Sequence, residues 1–202
     1  MKSDIPVTSL QRLPVYLNYL KTLTSDGYIS SGAIARALGM GEVLVRKDLA
    51  YTSAQGRTRV GYSCGELIAA LEDYLGCNDK KKAVIIGAGE LGKALLSYGG
   101  FLNYGIEIVA AFDSDSAKVG TYVGGKPIFD AKNAKEKIGE LNARLAVLCV
   151  PAREAQAVAD TLVDCGVMKI LNFAPVLLKV KDGAIVRNID VAASLAILSS
   201  MI

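Results

Sequence analysis

The sequence predicts an α/β protein in two parts, a small helical unit followed by a parallel sheet wrapped by helices on both faces. Three observations predict it. Residues 30–39 (Ser-Ser-Gly-Ala-Ile-Ala-Arg-Ala-Leu-Gly) and 41–49 (Gly-Glu-Val-Leu-Val-Arg-Lys-Asp-Leu) are two short amphipathic stretches joined by a glycine turn. Residues 83–92, Ala-Val-Ile-Ile-Gly-Ala-Gly-Glu-Leu-Gly, are a buried-strand pattern running straight into G-x-G-x-x-G. Beyond them, apolar runs at 83–87, 106–112, 145–150, 168–172 and 184–188 alternate with helical stretches near 90–103 and 152–165. Such alternation of strands with helices is the signature of a doubly wound sheet.

The bulk numbers agree with two modest cores, since the chain has 202 residues, 51% of them apolar, and no Trp. No run approaches the ~18 consecutive apolar residues of a membrane span. The polar opening Met1-Lys2-Ser3-Asp4 does not resemble a signal segment, so no membrane association and a cytoplasmic location are expected. The net charge of +3 is unevenly placed: residues 1–82 hold 11 Lys and Arg against 8 Asp and Glu, while residues 83–202 hold 12 against 12. A basic surface that could meet phosphates is thus expected in the first part. Cys64, Cys77, Cys149 and Cys165 have no C-x-x-C spacing and His is absent, which argues against a metal site and for reduced thiols. The missing His also removes the commonest catalytic proton donor.

Taken in order, residues 9–23 carry Leu10, Leu13, Leu17, Leu20 and Leu23 as a helical stripe, with Pro14 starting or bending the helix. Ser30 or Ser31 can cap the next helix, whose Ile34 and Leu38 point inward. After Gly39 and Gly41, Val45 and Leu49 face the core, and positions 44, 47, 48 and 51 fall together on the opposite face at 100° per residue. Leu44, Lys47 and Tyr51 are therefore expected to face a nucleic-acid groove, with Arg46 toward the backbone and Ser31 nearby. Residues 55–62 read as a short hairpin with Arg57 and Arg59 near its tip, the form of a wing that reaches phosphates or a minor groove. A helix over 63–75 closes a winged helix-turn-helix domain, residues 1–76, and 77–82 is the expected linker.

In the Rossmann domain, residues 83–189, Gly87 permits the tight turn, Gly89 lets the backbone approach a pyrophosphate and Gly92 allows close packing of helix on strand. The amides around Ala88, Glu90 and Leu91 can then bind phosphate with help from the helix dipole. Asp113 ends the next strand 21 residues after Gly92, where a carboxylate accepts from a ribose diol and repels a 2′-phosphate, so NAD is favoured over NADP. Ser114 adjoins it. Val150 with Pro151, and Phe173 with Ala174, fall at strand ends on the edge where doubly wound sheets bind ligands. Tyr122 and Lys126 have the Tyr-x-x-x-Lys spacing of short-chain dehydrogenases, but the Gly124-Gly125 between them reads as a hairpin turn, so no catalytic residues are assigned.

The chain resembles the Rex family of bacterial redox-sensing repressors over essentially its whole length. The resemblance rests on Leu10-Gln11-Arg12-Leu13-Pro14 with Tyr16, Ile29-Ser30-Ser31 through Leu38-Gly39, Val45-Arg46-Lys47-Asp48-Leu49, Gly61-Tyr62, the glycine motif, Tyr98 with Phe101, Ala111-Phe112-Asp113-x-Asp115, Val150-Pro151, Asn172-Phe173-Ala174-Pro175-Val176 and Asn188-Ile189-Asp190. It implies a protein that is not an enzyme: a homodimeric repressor on palindromic operator DNA, with NADH and NAD+ as cofactors, released from DNA when NADH binds. It further implies that residues 190–202 form a helix exchanged between subunits, and that Tyr98 and Asp190 couple nicotinamide state to subunit arrangement. An NAD-dependent oxidoreductase, or a coenzyme A or nucleotide module without regulatory coupling, are the alternatives. The chain departs from the family pattern at residues 52–59 and at Leu44, where Gln is frequent; Leu can touch a thymine methyl but makes no bidentate contact to adenine.

Overall fold

The computed structural model describes residues 5–23 and 26–201. The polar opening, residues 1–4, lies outside them. Among the described residues no helix is long and apolar enough to cross a membrane, and no group of His, Cys, Asp and Glu is placed to hold a metal ion. The chain divides into two compact units, one ending at Asp79 and the other beginning at Lys80.

The first unit is α1 (Val7–Lys21), β1 (Tyr28–Ile29), α2 (Ser31–Leu38), α3 (Glu42–Leu49), β2 (Tyr62–Ser63) and α4 (Cys64–Leu75). Its core is Leu13, Leu17, Leu20, Ile34, Val45, Leu49, Leu67 and Leu71, each at most 1% exposed. Helix α1 continues through Pro14. The expected stripe is corrected at its first turn, where Leu10 is 40% exposed while Tyr16 is fully buried. Periodicity gives a side chain's direction, not whether a partner faces each turn, and the missing Pro14 N–H already leaves the Leu10 carbonyl without a helical donor. Ser30 caps α2 by accepting the Ala33 N–H at 3.1 Å, and Ser63 caps α4 by accepting the Glu66 N–H at 3.4 Å. Strands β1 and β2 pair antiparallel, Tyr28 opposite Ser63 and Ile29 opposite Tyr62.

The second unit has strands β3 (Lys81–Ile86), β4 (Ile106–Asp113), β5 (Tyr122–Val123), β6 (Lys126–Asp130), β7 (Leu145–Leu148), β8 (Lys169–Asn172) and β9 (Ile185–Asn188), ordered β5-β6-β4-β3-β7-β8-β9. All neighbours are parallel except β5 and β6. Its helices are α5 (Glu90–Ser97), α6 (Ala134–Leu141), α7 (Ala152–Asp164) and α8 (Val191–Ser199). Strand β3 is buried on both faces: Val84 and Ile86 pack in one cluster with residues of α6 and α7, Ala83 and Ile85 in another with Leu96 of α5. The strand order reverses at β3, with β4 on one side and β7 on the other, so a crevice opens at the carboxyl ends of these strands.

Four expectations change here. Lys81 and Lys82, placed in a linker by sequence, are the first residues of β3. The helix expected over 90–103 stops at Ser97, and Gly99–Tyr104 form a separate 3-10 turn, because Gly99 and Gly100 carry a high helical cost. Strand β6 and helix α6 were not anticipated. Pro127 interrupts the apolar run of β6, and α6 buries only Ala134 and Ile138 among lysines and glutamates, so each gives a weak periodic signal. The turn between β5 and β6 is the expected hairpin, with Gly124 and Gly125 at φ of 57° and 75°.

Candidate functional site

The cofactor-binding expectation converges on one crevice of about 590 Å³. Its lining includes Gly87, Gly89, Asp113, Ser114, Val150 and Pro151, all singled out from the sequence. The backbone explains why glycines stand there. Gly87 has φ of 94°, and a Cβ on it would lie 2.5 Å from the Cys149 carbonyl oxygen; a Cβ on Gly92 would collide with the Gly87 carbonyl oxygen. Around Gly89 a Cβ would meet only open space, the clearance that an approaching pyrophosphate requires. No side chain caps the N-terminus of α5, so the first-turn amides around Glu90 and Leu91 are available to phosphate oxygens. The glycine turn and uncapped helix fit a dinucleotide.

Asp113 is only 9% exposed and is tied into this turn. Its Oδ2 accepts the Ala88 N–H at 2.7 Å and its Oδ1 the Asp115 N–H at 2.8 Å, with Lys118 Nζ 3.3 Å from Oδ2. Burial pushes its carboxyl up, but these backbone donors and the Lys118 ammonium outweigh burial and hold it below the usual carboxylate range. The same carboxylate therefore faces the crevice and sets the shape of the glycine turn. Sequence reasoning missed Lys118, Ala131, Cys149, Glu154 and Val158 in the lining; only the Asp113-x-Asp115 motif pointed toward this loop. Burial pushes the Cys149 thiol up to about 11, so it lines the crevice as a neutral group. Ala88, Glu90, Leu91, Gly92, Phe173 and Ala174 are not part of the lining, and Ala174 is buried, with its N–H donated to Asn172 Oδ1 at 2.9 Å. Tyr98 ends α5, exposed and edge-on to Phe101 with ring centroids 5.3 Å apart. Asp190 caps α8 by accepting the Ala193 N–H at 2.7 Å.

The charge expectation is corrected: Lys80, Lys81 and Lys82 belong to the second unit, so the first, residues 1–79, holds 8 Lys and Arg against 8 Asp and Glu, and its candidate DNA contacts are individual exposed side chains. Leu44, Arg46 and Lys47 are exposed on α3, as expected. Tyr51 lies beyond the end of α3 and is half-buried, and Ser31 begins α2 with its hydroxyl 3.4 Å from Glu42 Oε1. Asp48, expected on the outward face, is corrected: it is 1% exposed. Arg12 holds it through two hydrogen bonds, Nε to Oδ2 at 2.6 Å and Nη2 to Oδ1 at 2.8 Å, and Tyr16 donates to Oδ2 at 2.6 Å. Helical periodicity had placed a charge outward because it could not see a guanidinium waiting on α1.

The expected wing is smaller than a ladder, a single bridge between Arg57 and Gly61 around a tight turn. The Arg57 guanidinium sits 5.4 Å from the centre of the Tyr28 ring, which steadies it at the base of the turn. Arg59 at the tip has φ of 64°, a left-handed conformation that costs a side chain energy. Arg59→Gly is expected to raise the stability of the first unit by about 0.5 kcal/mol, after allowance for glycine's looser unfolded state, while weakening DNA binding. Thermal melts beside DNA titrations check this. A lower melting temperature would show that the Arg59 side chain makes up for its backbone.

Comparisons with known proteins bear on both units. Residues 4–50 match the family described as "Putative DNA-binding protein N-terminus", and residues 78–176 match the family described as "CoA binding domain". The redox-sensing transcriptional repressor Rex of Bacteroides fragilis is 40% identical over 198 residues, 97% of this chain and 90% of that protein. Its counterpart in Treponema denticola is 39% identical over 99% of this chain and 97% of that protein. The crystal structure of RSP with beta-NAD+ and operator DNA matches with a TM-score of 0.93 at 31% identity, covering 99% of this chain and 93% of that one. RSP with beta-NADH matches with a TM-score of 0.88 at 30% identity, covering 99% of this chain and 95% of that one.

Proposed function

Because the chain belongs to the Rex family of redox-sensing transcriptional repressors, we propose that it binds operator DNA when NADH is scarce and leaves it when NADH binds. It is a repressor that binds operator DNA and NAD(H), not an enzyme. The observation that carries the cofactor reading is the ionised Asp113 fastened to the glycine turn at the switch point of the sheet. Gly87, Ala88, Gly89, Glu90, Leu91 and Gly92 cradle the pyrophosphate, Asp113 and Ser114 hold the ribose, and Val150 and Pro151 line the path toward the nicotinamide. Phe173 and Ala174 support that edge of the sheet from behind the crevice. Leu44, Arg46, Lys47 and Tyr51 approach the major groove, Ser31 meets its flanking backbone, and Arg57 and Arg59 reach phosphates or the minor groove.

Charge supplies the switch. The oxidised nicotinamide ring is positive and the reduced ring neutral, so sealing the ring from water penalises the oxidised form alone. NADH then favours a closed dimer, in which Tyr98 and Asp190 reposition the subunits. Two reading heads no longer separated by about 34–36 Å, or a multiple of it, do not fit successive major grooves together. To move the dimer from 1:99 to 99:1 closed, NADH must prefer the closed state by ~5.5 kcal/mol.

The dimer itself is supported by α8. Val191, Leu195, Ile197 and Leu198 are 58 to 67% exposed on a helix with no buried residue, an apolar surface that calls for a cover, here a second copy exchanging its helix. The double variant Leu195→Asp, Leu198→Asp is expected to shift the protein to monomers in size-exclusion chromatography with light scattering. An intact dimer would remove α8 from the interface.

The deciding experiment is fluorescence anisotropy on a labelled palindromic operator at fixed salt, titrated with NADH, NAD+, NADPH and coenzyme A. Release by NADH at concentrations where NAD+ does little is the expected result. Operator binding indifferent to all four ligands would overturn the redox reading.

A further inference from the structure

The carboxylate of Asp113 is nearly saturated by the protein before any ligand arrives. Oδ1 accepts one backbone N–H, from Asp115, while Oδ2 accepts both the Ala88 N–H and a proton of Lys118 Nζ. Each carboxylate oxygen offers two lone pairs, so the position left over is on Oδ1. A ribose diol held by the carboxylate alone needs two free positions, and only one is left. Lys118 Nζ also lies 3.4 Å from Asp115 Oδ2. Two of its N–H groups are thus turned to carboxylates and the third is left for another acceptor. All three side chains line the crevice.

Resting on the cofactor reading above and going beyond it, we propose that Lys118 reads the adenosine ribose jointly with Asp113. Oδ1 of Asp113 accepts from one ribose hydroxyl, and the Lys118 ammonium donates to the oxygen of the other. The cluster of two carboxylates and one ammonium has a net charge of −1, and this balance sets how strongly a 2′-phosphate is excluded. Asp113 is then not the whole of the selectivity. Lys118 moderates the exclusion and Asp115, half-exposed beside it, strengthens it.

The two partners can be changed in opposite directions. Lys118→Met leaves two uncompensated carboxylates facing the phosphate, whereas Asp115→Asn brings the cluster to neutrality. Asn at 115 keeps an oxygen to accept the Ala117 N–H, which Asp115 Oδ1 accepts at 3.0 Å, so the loop turn survives. NADH and NADPH dissociation constants are measured by calorimetry at one low salt concentration for the wild type, Lys118→Met, Lys118→Arg and Asp115→Asn. Lys118→Met is expected to weaken NADPH roughly fivefold more than it weakens NADH, the size of effect that removing one partly exposed charge produces. Asp115→Asn is expected to narrow the gap by a similar factor, and Lys118→Arg to keep it within about twofold, with all three differences shrinking as salt rises.

Equal weakening of both cofactors by Lys118→Met, or no gain of NADPH binding in Asp115→Asn, would overturn the proposal and leave Lys118 as a loop tether. A wild type that binds neither NADH nor NADPH would overturn the cofactor reading as well, so the two failures are told apart by the first titration.

Discussion

Asp48→Ala is expected to destabilise the first unit by about 3 kcal/mol, the scale of breaking a buried pair from one side, and to abolish operator binding while NADH binding persists. The carboxylate is at the centre of three polar groups: Arg12 bridges it and the Ser9 hydroxyl, and Tyr16 donates to it. Truncation leaves the Arg12 guanidinium and the buried Tyr16 hydroxyl without their acceptor. Because Arg12 and Tyr16 lie on α1 and Asp48 on α3, the network also fixes the helix whose exposed face carries Leu44, Arg46 and Lys47. Denaturant unfolding, operator anisotropy and NADH titration of the same variant check the three parts. The triple variant Arg12→Leu, Tyr16→Phe, Asp48→Leu is expected to recover much of the stability, since apolar replacements leave no buried charge or hydroxyl without a partner.

The network also makes a pH prediction. Burial pushes the Asp48 carboxyl up, but hydrogen bonds from Arg12, Tyr16 and Ser9 outweigh it and hold the carboxyl below its usual range. A group with a lowered folded pKa contributes stability that is complete above its unfolded value, near 4, and is lost as pH falls through the folded value. The first unit of the wild type should therefore lose stability below about pH 4, and Asp48→Ala should lose less over the same range. Tyr16, pushed up to about 12 chiefly by burial and then by its bond to Asp48, stays protonated throughout.

Gly92→Ala is expected to weaken NADH binding roughly 100-fold or more and to leave operator binding without cofactor intact. The added methyl would collide with the Gly87 carbonyl oxygen, and backbone that forms the phosphate turn must shift to admit it. Overpacking of a rigid site costs about 1–3 kcal/mol and occasionally more, and here the whole strain falls on the turn that carries the cofactor. NADH titration by fluorescence, with circular dichroism to verify folding, checks it. Wild-type NADH affinity in this variant would show that the turn has another way to seat the pyrophosphate.

Much of this was legible in the sequence for local reasons. A strand running into Gly87-x-Gly89-x-x-Gly92 and ending its successor in Asp113 specifies turn, helix start and acidic residue within one βαβ unit. A serine cap at 30 or 31, and the hairpin at Gly124-Gly125, follow from the chemistry of single residues and their neighbours. Strand β6 and helix α6 escaped because one is broken by a proline and the other buries too few residues to show a period.

The sequence by itself determined the two-part α/β architecture, the glycine turn and the apolar final helix, because backbone sterics and hydrophobic periodicity act over a few residues and leave their mark in adjacent letters. The tertiary structure alone decided that Asp48 turns inward to Arg12 and Tyr16, 36 and 32 residues away, and that the Asp113 carboxylate is fastened by the Ala88 N–H, 25 residues away. The physical reason is the same in both cases. A charge is placed by the partner that offsets its desolvation, and that partner is found across the fold rather than along the chain.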